Sequence, residues 1–154
     1  MKEALQFPSS STFKKVTGLT NRPLSIKDSK LPKDDRLQLV SGIDLTGSVD
    51  SVVSSMKQKI KRIETVTHVI FTAYIEKPDF DSLRTVNTDI LKTAITAVDQ
   101  VAPELQSVVL QTGGKGYGVE FSDKLEIKAP LKESQPRIPK PCKHNLVHSC
   151  ISGH

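Results

Sequence analysis

Tryptophan is absent from this chain of 154 residues, and aromatic residues make up only 5% of it. A hydrophobic core must therefore be assembled from Val, Leu and Ile held in regular elements, because there are few large rings to build it around. Cysteine is scarce as well. Cys142 and Cys150 both lie near the C-terminal end, which argues against a disulfide framework. No apolar run approaches the ~20 residues needed to cross a bilayer, and the opening MKEALQFPSSST has no continuous hydrophobic segment. Neither a membrane span nor a secretion signal is expected, and the default location is cytoplasmic.

What is present is a modest excess of positive charge, +5 from 22 basic and 17 acidic residues, densest at residues 57–62 and 140–143. No arginine-rich arm, zinc-finger spacing or aromatic-basic motif accompanies it. Solvated helix faces account for the charge, and nucleic acid is not an expected partner. The length suits one α/β domain.

From Lys15 onward the apolar period switches repeatedly, which predicts alternating strands and helices. Strands are expected at residues 16–20, 37–43, 66–73 and 108–112. The third is dense enough in apolar and β-branched residues to be covered on both faces of a parallel sheet. A helix is expected over residues 48–63, where apolar positions 49, 52, 53, 56, 60 and 63 share one face. Ser48 is suited to cap its start, and Lys59, Lys61 and Arg62 suit its negative end. A second helix follows Asp79 and Asp81, carries Leu83, Val86, Ile90, Leu91, Ala94, Ile95, Val98 and Val101, and stops near Pro103. After Gly118 the pattern decays into a Pro/Lys-rich stretch expected to be irregular.

Parallel sheets bind ligands at the carboxyl ends of their strands, so the residues just after each strand are the candidates. Arg22 is placed to pair with an adenosine 2′-phosphate, or else is a surface arginine in a turn. Asp44 can accept from an adenine amino group, or else closes a turn before a helix. Thr72, Ala73 and Tyr74 follow the third strand. The segment Leu110-Gln-Thr-Gly-Gly-Lys-Gly-Tyr-Gly118 presents Thr112, Gly113, Lys115 and Tyr117. A lysine and a tyrosine are the pair a hydride-transfer site uses, since the ammonium lowers the pKa of a neighbouring phenol. The glycine order matches neither a Walker loop nor G-x-G-x-x-G. His68 reads as a packed core histidine. His144, His148, Cys150 and His154 lack metal-site spacing, so no metal is expected.

These positions carry a resemblance. Gly18-Leu-Thr-Asn-Arg-Pro23, Ser41-Gly-Ile-Asp-Leu-Thr46, Val66-Thr-His-Val-Ile-Phe-Thr-Ala-Tyr74, Val86-Asn87 and Leu110-Gln-Thr-Gly-Gly-Lys-Gly-Tyr117 resemble, in order, the atypical short-chain dehydrogenases related to progesterone 5β-reductase and iridoid synthase. The resemblance implies a Rossmann-type α/β fold and NADP(H)-dependent reduction of an enone or carbonyl small molecule in secondary metabolism, with NAD as the alternative cofactor. It implies Arg22 near the 2′-phosphate, Asp44 near adenine, Thr72, Ala73 and Tyr74 lining the ribose, Thr112 and Gly113 beside the cofactor, and Lys115 as the catalytic lysine. The family's first strand and glycine-rich turn, and its later catalytic tyrosine, have no counterpart here; Asn145-Leu-Val-His148-Ser149 stands where the tyrosine is expected.

The expected organisation is an N-terminal remnant at 1–12, an incomplete NAD(P)-binding domain at 13–128 and an irregular tail at 129–154. In the family's strand order 3-2-1-4-5 the absent strand is central, so the strands beginning near Val16 and Leu37 should separate from those beginning near Val66 and Val108. The competing expectation is a non-catalytic interaction protein derived from a reductase, which associates with itself or another chain through an exposed sheet edge.

Overall fold

The computed structural model of the chain describes residues 1–113, 117–121, 125–132 and 134–135. The order of elements is β1 (Val16–Thr20), β2 (Leu37–Ser41), α1 (Val49–Lys59), β3 (His68–Phe71), α2 (Phe80–Val101) and β4 (Ser107–Leu110), with single 3₁₀ turns at Glu3–Leu5, Ile63–Thr65 and Val119–Phe121. The architecture is α/β and Rossmann-like. β1 runs parallel to β2, from Val16 opposite Leu37 to Thr20 opposite Ser41. β3 runs parallel to β4, from His68 opposite Ser107 to Phe71 opposite Leu110. These are two separate two-stranded sheets among the described residues. The chain divides likewise into two compact units.

The first unit comprises residues 1–66 and 93–105. Its interior is aliphatic, as the lack of aromatics requires: Leu5, Val40, Ile43, Val52, Met56, Ile60, Ala94, Ala97, Val98, Val101 and Ala102 are buried. The α1 residues Val52 and Met56, with Ile60 just beyond, recur every fourth position and so share one face. Ser48 caps α1 as expected, its hydroxyl accepting from the Ser51 amide at 3.3 Å. The helix ends at Lys59, earlier than the expected residue 63. Ile60 turns to extended backbone while its amide still donates to the Met56 carbonyl, so the apolar spacing continues after the helical path has stopped.

Arg36 ties the N-terminal segment to the start of β2. Its guanidinium donates to the carbonyls of Leu5 and Ser10 at 3.1 and 2.5 Å, and to Asp34 through both Nε and Nη2 at 3.0 and 2.7 Å. Those bonds from the Arg36 side chain and backbone hold the Asp34 carboxyl below its ordinary value of 3.8. A depressed carboxylate contributes stability that is complete above the unfolded value and is lost as pH falls through the folded one. The expected result is a melting temperature that falls as pH drops below 3.8. Asp34→Asn should lower it at neutral pH and by less in acid well below 3.8, as followed by circular dichroism. An equal loss at both pH values would show that the carboxylate charge is not what Arg36 uses.

The second unit comprises residues 67–92 and the described residues from 106 onward. Phe71, Leu83, Ile90, Leu91 and Phe121 are its buried apolar residues, and Phe80 stacks obliquely on Phe121 with centroids 5.6 Å apart. Asp79 starts α2 by accepting from the Ser82 amide at 2.8 Å, which lowers its pKa. One expectation for β3 fails. Ile70 and its register partner Val109 point to the same side of the sheet and are 64% and 49% exposed, so only the Phe71 side is covered. His68 lies on that open side, exposed rather than packed in a core, with Nδ1 2.8 Å from the Thr67 hydroxyl.

Candidate functional site

The carboxyl ends of β1 and β2 are held together by more than the ladder. The Ile43 amide donates to the Thr20 carbonyl at 3.3 Å, extending the pairing past both strands. The Thr20 hydroxyl donates to the Arg22 carbonyl at 3.1 Å, fixing the turn after β1. The Leu24 amide donates to the Ser41 hydroxyl at 3.1 Å, lacing that turn to the end of β2. Arg22 and Asp44 thus stand at the same end of one parallel pair. Arg22 is exposed, and its guanidinium has no partner among the described residues.

Asp44 realises the turn reading. Its Oδ1 accepts from the Thr46 amide at 3.0 Å and from the Thr46 hydroxyl at 2.7 Å, and these two bonds lower its pKa. The second carboxylate oxygen takes no part in that turn, so an ionised acceptor remains in an exposed position just after β2. The residue can therefore serve both the turn and a hydrogen-bond donor from outside.

In the second unit, the Gln111 amide donates to the Phe71 carbonyl at 3.0 Å. This places Thr112 and Gly113 beside Thr72, Ala73 and Tyr74 at the carboxyl ends of β3 and β4, all of them exposed. At Gly113 an added Cβ would meet no atom of the described residues within 4 Å, which suits close approach of a ligand to the backbone. Lys115 lies outside the described residues, as do His144, His148, Cys150 and His154. Tyr117 is described and is 37% exposed. Among the described residues no group of three or more His, Cys, Asp or Glu could hold a metal ion. No described helix is long and apolar enough to cross a membrane.

Asn87 is the residue whose role the sequence reading missed. It is 1% exposed on the inner face of α2, the one buried polar residue among those described. Its amide nitrogen donates to the carbonyls of Ile75 and Leu83 at 2.7 and 2.8 Å, and its carbonyl accepts from the Ile75 amide at 2.8 Å. Both backbone groups of Ile75 are satisfied by one side chain, which anchors the segment that follows Thr72, Ala73 and Tyr74. The signal was in the spacing: position 87 follows Leu83 by four and precedes Leu91 by four, so a polar residue occupies a core position of an apolar face.

Comparison with known proteins places these ends in context. A protein of Aspergillus calidoustus named short chain dehydrogenase ausT is 42% identical over 154 aligned residues, covering 96% of this chain and 38% of that protein. Two proteins of Leptosphaeria maculans, named short chain dehydrogenases sirQ and sirR, are 40% and 34% identical over 151 aligned residues, each covering 95% of this chain and 38% and 37% of their own lengths. The chain thus spans a little over a third of the length of these curated relatives. Residues 2–151 match the PRISE-like Rossmann-fold domain along nearly the whole sequence. With its parallel strand pairs, its helices and its ordered strand-end residues, the chain belongs to the PRISE-like Rossmann-fold domain family.

Proposed function

We propose that this chain forms the adenosine-binding side and the lysine-bearing segment of an NADP(H)-dependent short-chain reductase that acts on an enone or carbonyl small molecule. The observation that carries the reading is the laced end of β1 and β2, where an exposed guanidinium without a described partner and an ionised carboxylate stand on one parallel pair. The donor set fits the adenosine end of a nicotinamide dinucleotide: Arg22 suits a 2′-phosphate, which NAD lacks, and Asp44 suits the adenine amino group. Thr72, Ala73, Tyr74, Thr112 and Gly113 are assigned to the ribose and nicotinamide end, and Lys115 to holding that ribose and acidifying a phenol. When bound, the cofactor supplies hydride. The presence of two relatives at 40% and 34% identity in one fungus supports a family diversified over substrates, as secondary metabolism requires.

The test is an NMR titration of the chain with NADPH and with NADH. NADPH should bind more tightly, and Arg22→Ala should weaken NADPH by about tenfold while leaving NADH unchanged. Equal affinity for the two in the original chain overturns the NADP assignment, and no response to either overturns the whole reading.

A second reading is a non-catalytic protein that associates through its sheet, and the exposed pair Ile70 and Val109 favours it. It requires that neither dinucleotide bind and that the mass in solution exceed 16.9 kDa, through a second copy or another chain.

A further inference from the structure

Lys59 stands in the last turn of α1. Its ammonium reaches the end of β2, donating to the Gly42 carbonyl at 2.8 Å and to the Ser41 carbonyl at 3.3 Å. The Lys59 carbonyl in turn accepts from the side-chain Nε2 of Gln38 at 3.1 Å, so this one residue is bonded near both ends of the strand. Gly42 has φ +75°, a conformation that L side chains rarely adopt, and a Cβ there would stand 2.9 Å from the ammonium. Glycine is therefore required twice over, by the backbone and by the lysine. The bonded carbonyls lie between Ser41, which laces β2 to the Arg22 turn, and Asp44, two residues beyond Gly42.

From this geometry we infer that Lys59 is a positioning residue for the adenosine end of the site. It holds the left-handed turn at Gly42 so that Asp44 and the Arg22 turn keep a fixed spacing, and it does so without touching the ligand. This inference rests on the cofactor reading above. An ammonium at the end of β2 also blunts an open sheet edge, which is a purely structural role. The two roles differ in one respect: a positioning residue acts through Asp44, whereas an edge guard does not.

The experiment is an NMR titration of the 154-residue chain with adenosine 2′,5′-bisphosphate, a probe that carries the adenine and the 2′-phosphate and needs no nicotinamide pocket. Lys59→Met should weaken binding by about tenfold, as expected for loss of a charged hydrogen bond, and Lys59→Arg, which keeps the donors, should restore most of it. Gly42→Ala disturbs the same contact from the other side while keeping the ammonium, and should weaken the probe as well. In an Asp44→Asn background, Lys59→Met should cost little more, because residues acting as one unit are not additive. Unchanged affinity in Lys59→Met, or losses that add across the double variant, would overturn the positioning role while leaving the cofactor reading in place. Failure of the original chain to bind the probe would overturn both.

Discussion

Replacing Asn87 by leucine is expected to destabilise the chain by about 2–4 kcal/mol, a large effect for one side chain with the same number of heavy atoms and the same branching. The reason is the number of partners left behind. Leucine supplies neither the acceptor for the Ile75 amide nor the donors for the Ile75 and Leu83 carbonyls, yet Asn87 is 1% exposed and water has little access to replace it. Urea unfolding gives the free energy. Amide exchange at Ile75 gives the location, and should accelerate more than exchange in β1. Asn87→Asp refines the test, since a carboxylate still accepts from the Ile75 amide but faces two carbonyls it cannot donate to. It should therefore regain stability as acid protonates it. A loss below about 0.5 kcal/mol for the leucine variant would mean that the segment after β3 does not depend on this anchor.

The other large effect is expected at Met56. Truncation to alanine should cost about 2–4 kcal/mol, the range for a buried large-to-small change that leaves a cavity. Met56 is 1% exposed and lies one turn after Val52, also 1% exposed. The core of the first unit is aliphatic with no aromatic ring among its buried residues, so no large neighbour is at hand to fill the space. Met56→Leu conserves volume and should cost less than about 1.5 kcal/mol. The difference between the two midpoints in urea is the measurement, and equal midpoints would show that α1 does not rely on packing at this position.

The strands were largely legible, because each is an apolar or β-branched run bounded by turn residues. β1 falls on the expected residues, and β2, β3 and β4 are contained in the expected spans or begin one residue before. Their ends were less legible. The last residues of the second expected strand became the Gly42 turn, held by a lysine some seventeen positions away that no local pattern reveals. The extent of α1 failed for a related reason: Ile60 and Ile63 keep the helical spacing, but spacing records which face is apolar and not where the backbone leaves the helix.

His68 and Ile70 teach a different lesson. A continuous apolar run is compatible with cover on both faces or on one, since every side chain in it is willing to be buried. Which face is covered depends on the layers packed against it, and among the described residues the Ile70 side has none that bury it. The position of Asn87 was visible as a polar residue on an apolar face, but its partner, the backbone of Ile75, was not, because backbone groups leave no mark in a sequence.

By itself, then, the sequence determined the alternation of strand and helix, the aliphatic character of the core, the cap at Ser48 and the set of residues that follow strands. These depend on local spacing and composition, which short-range sterics and hydrophobic periodicity translate directly. The tertiary structure alone decided that Asp44 closes its turn on Thr46, and that Lys59 and Asn87 fasten the segments beyond the strands. Those are contacts between groups distant in the chain or between side chain and backbone, and their formation depends on which surfaces meet once the helices have packed.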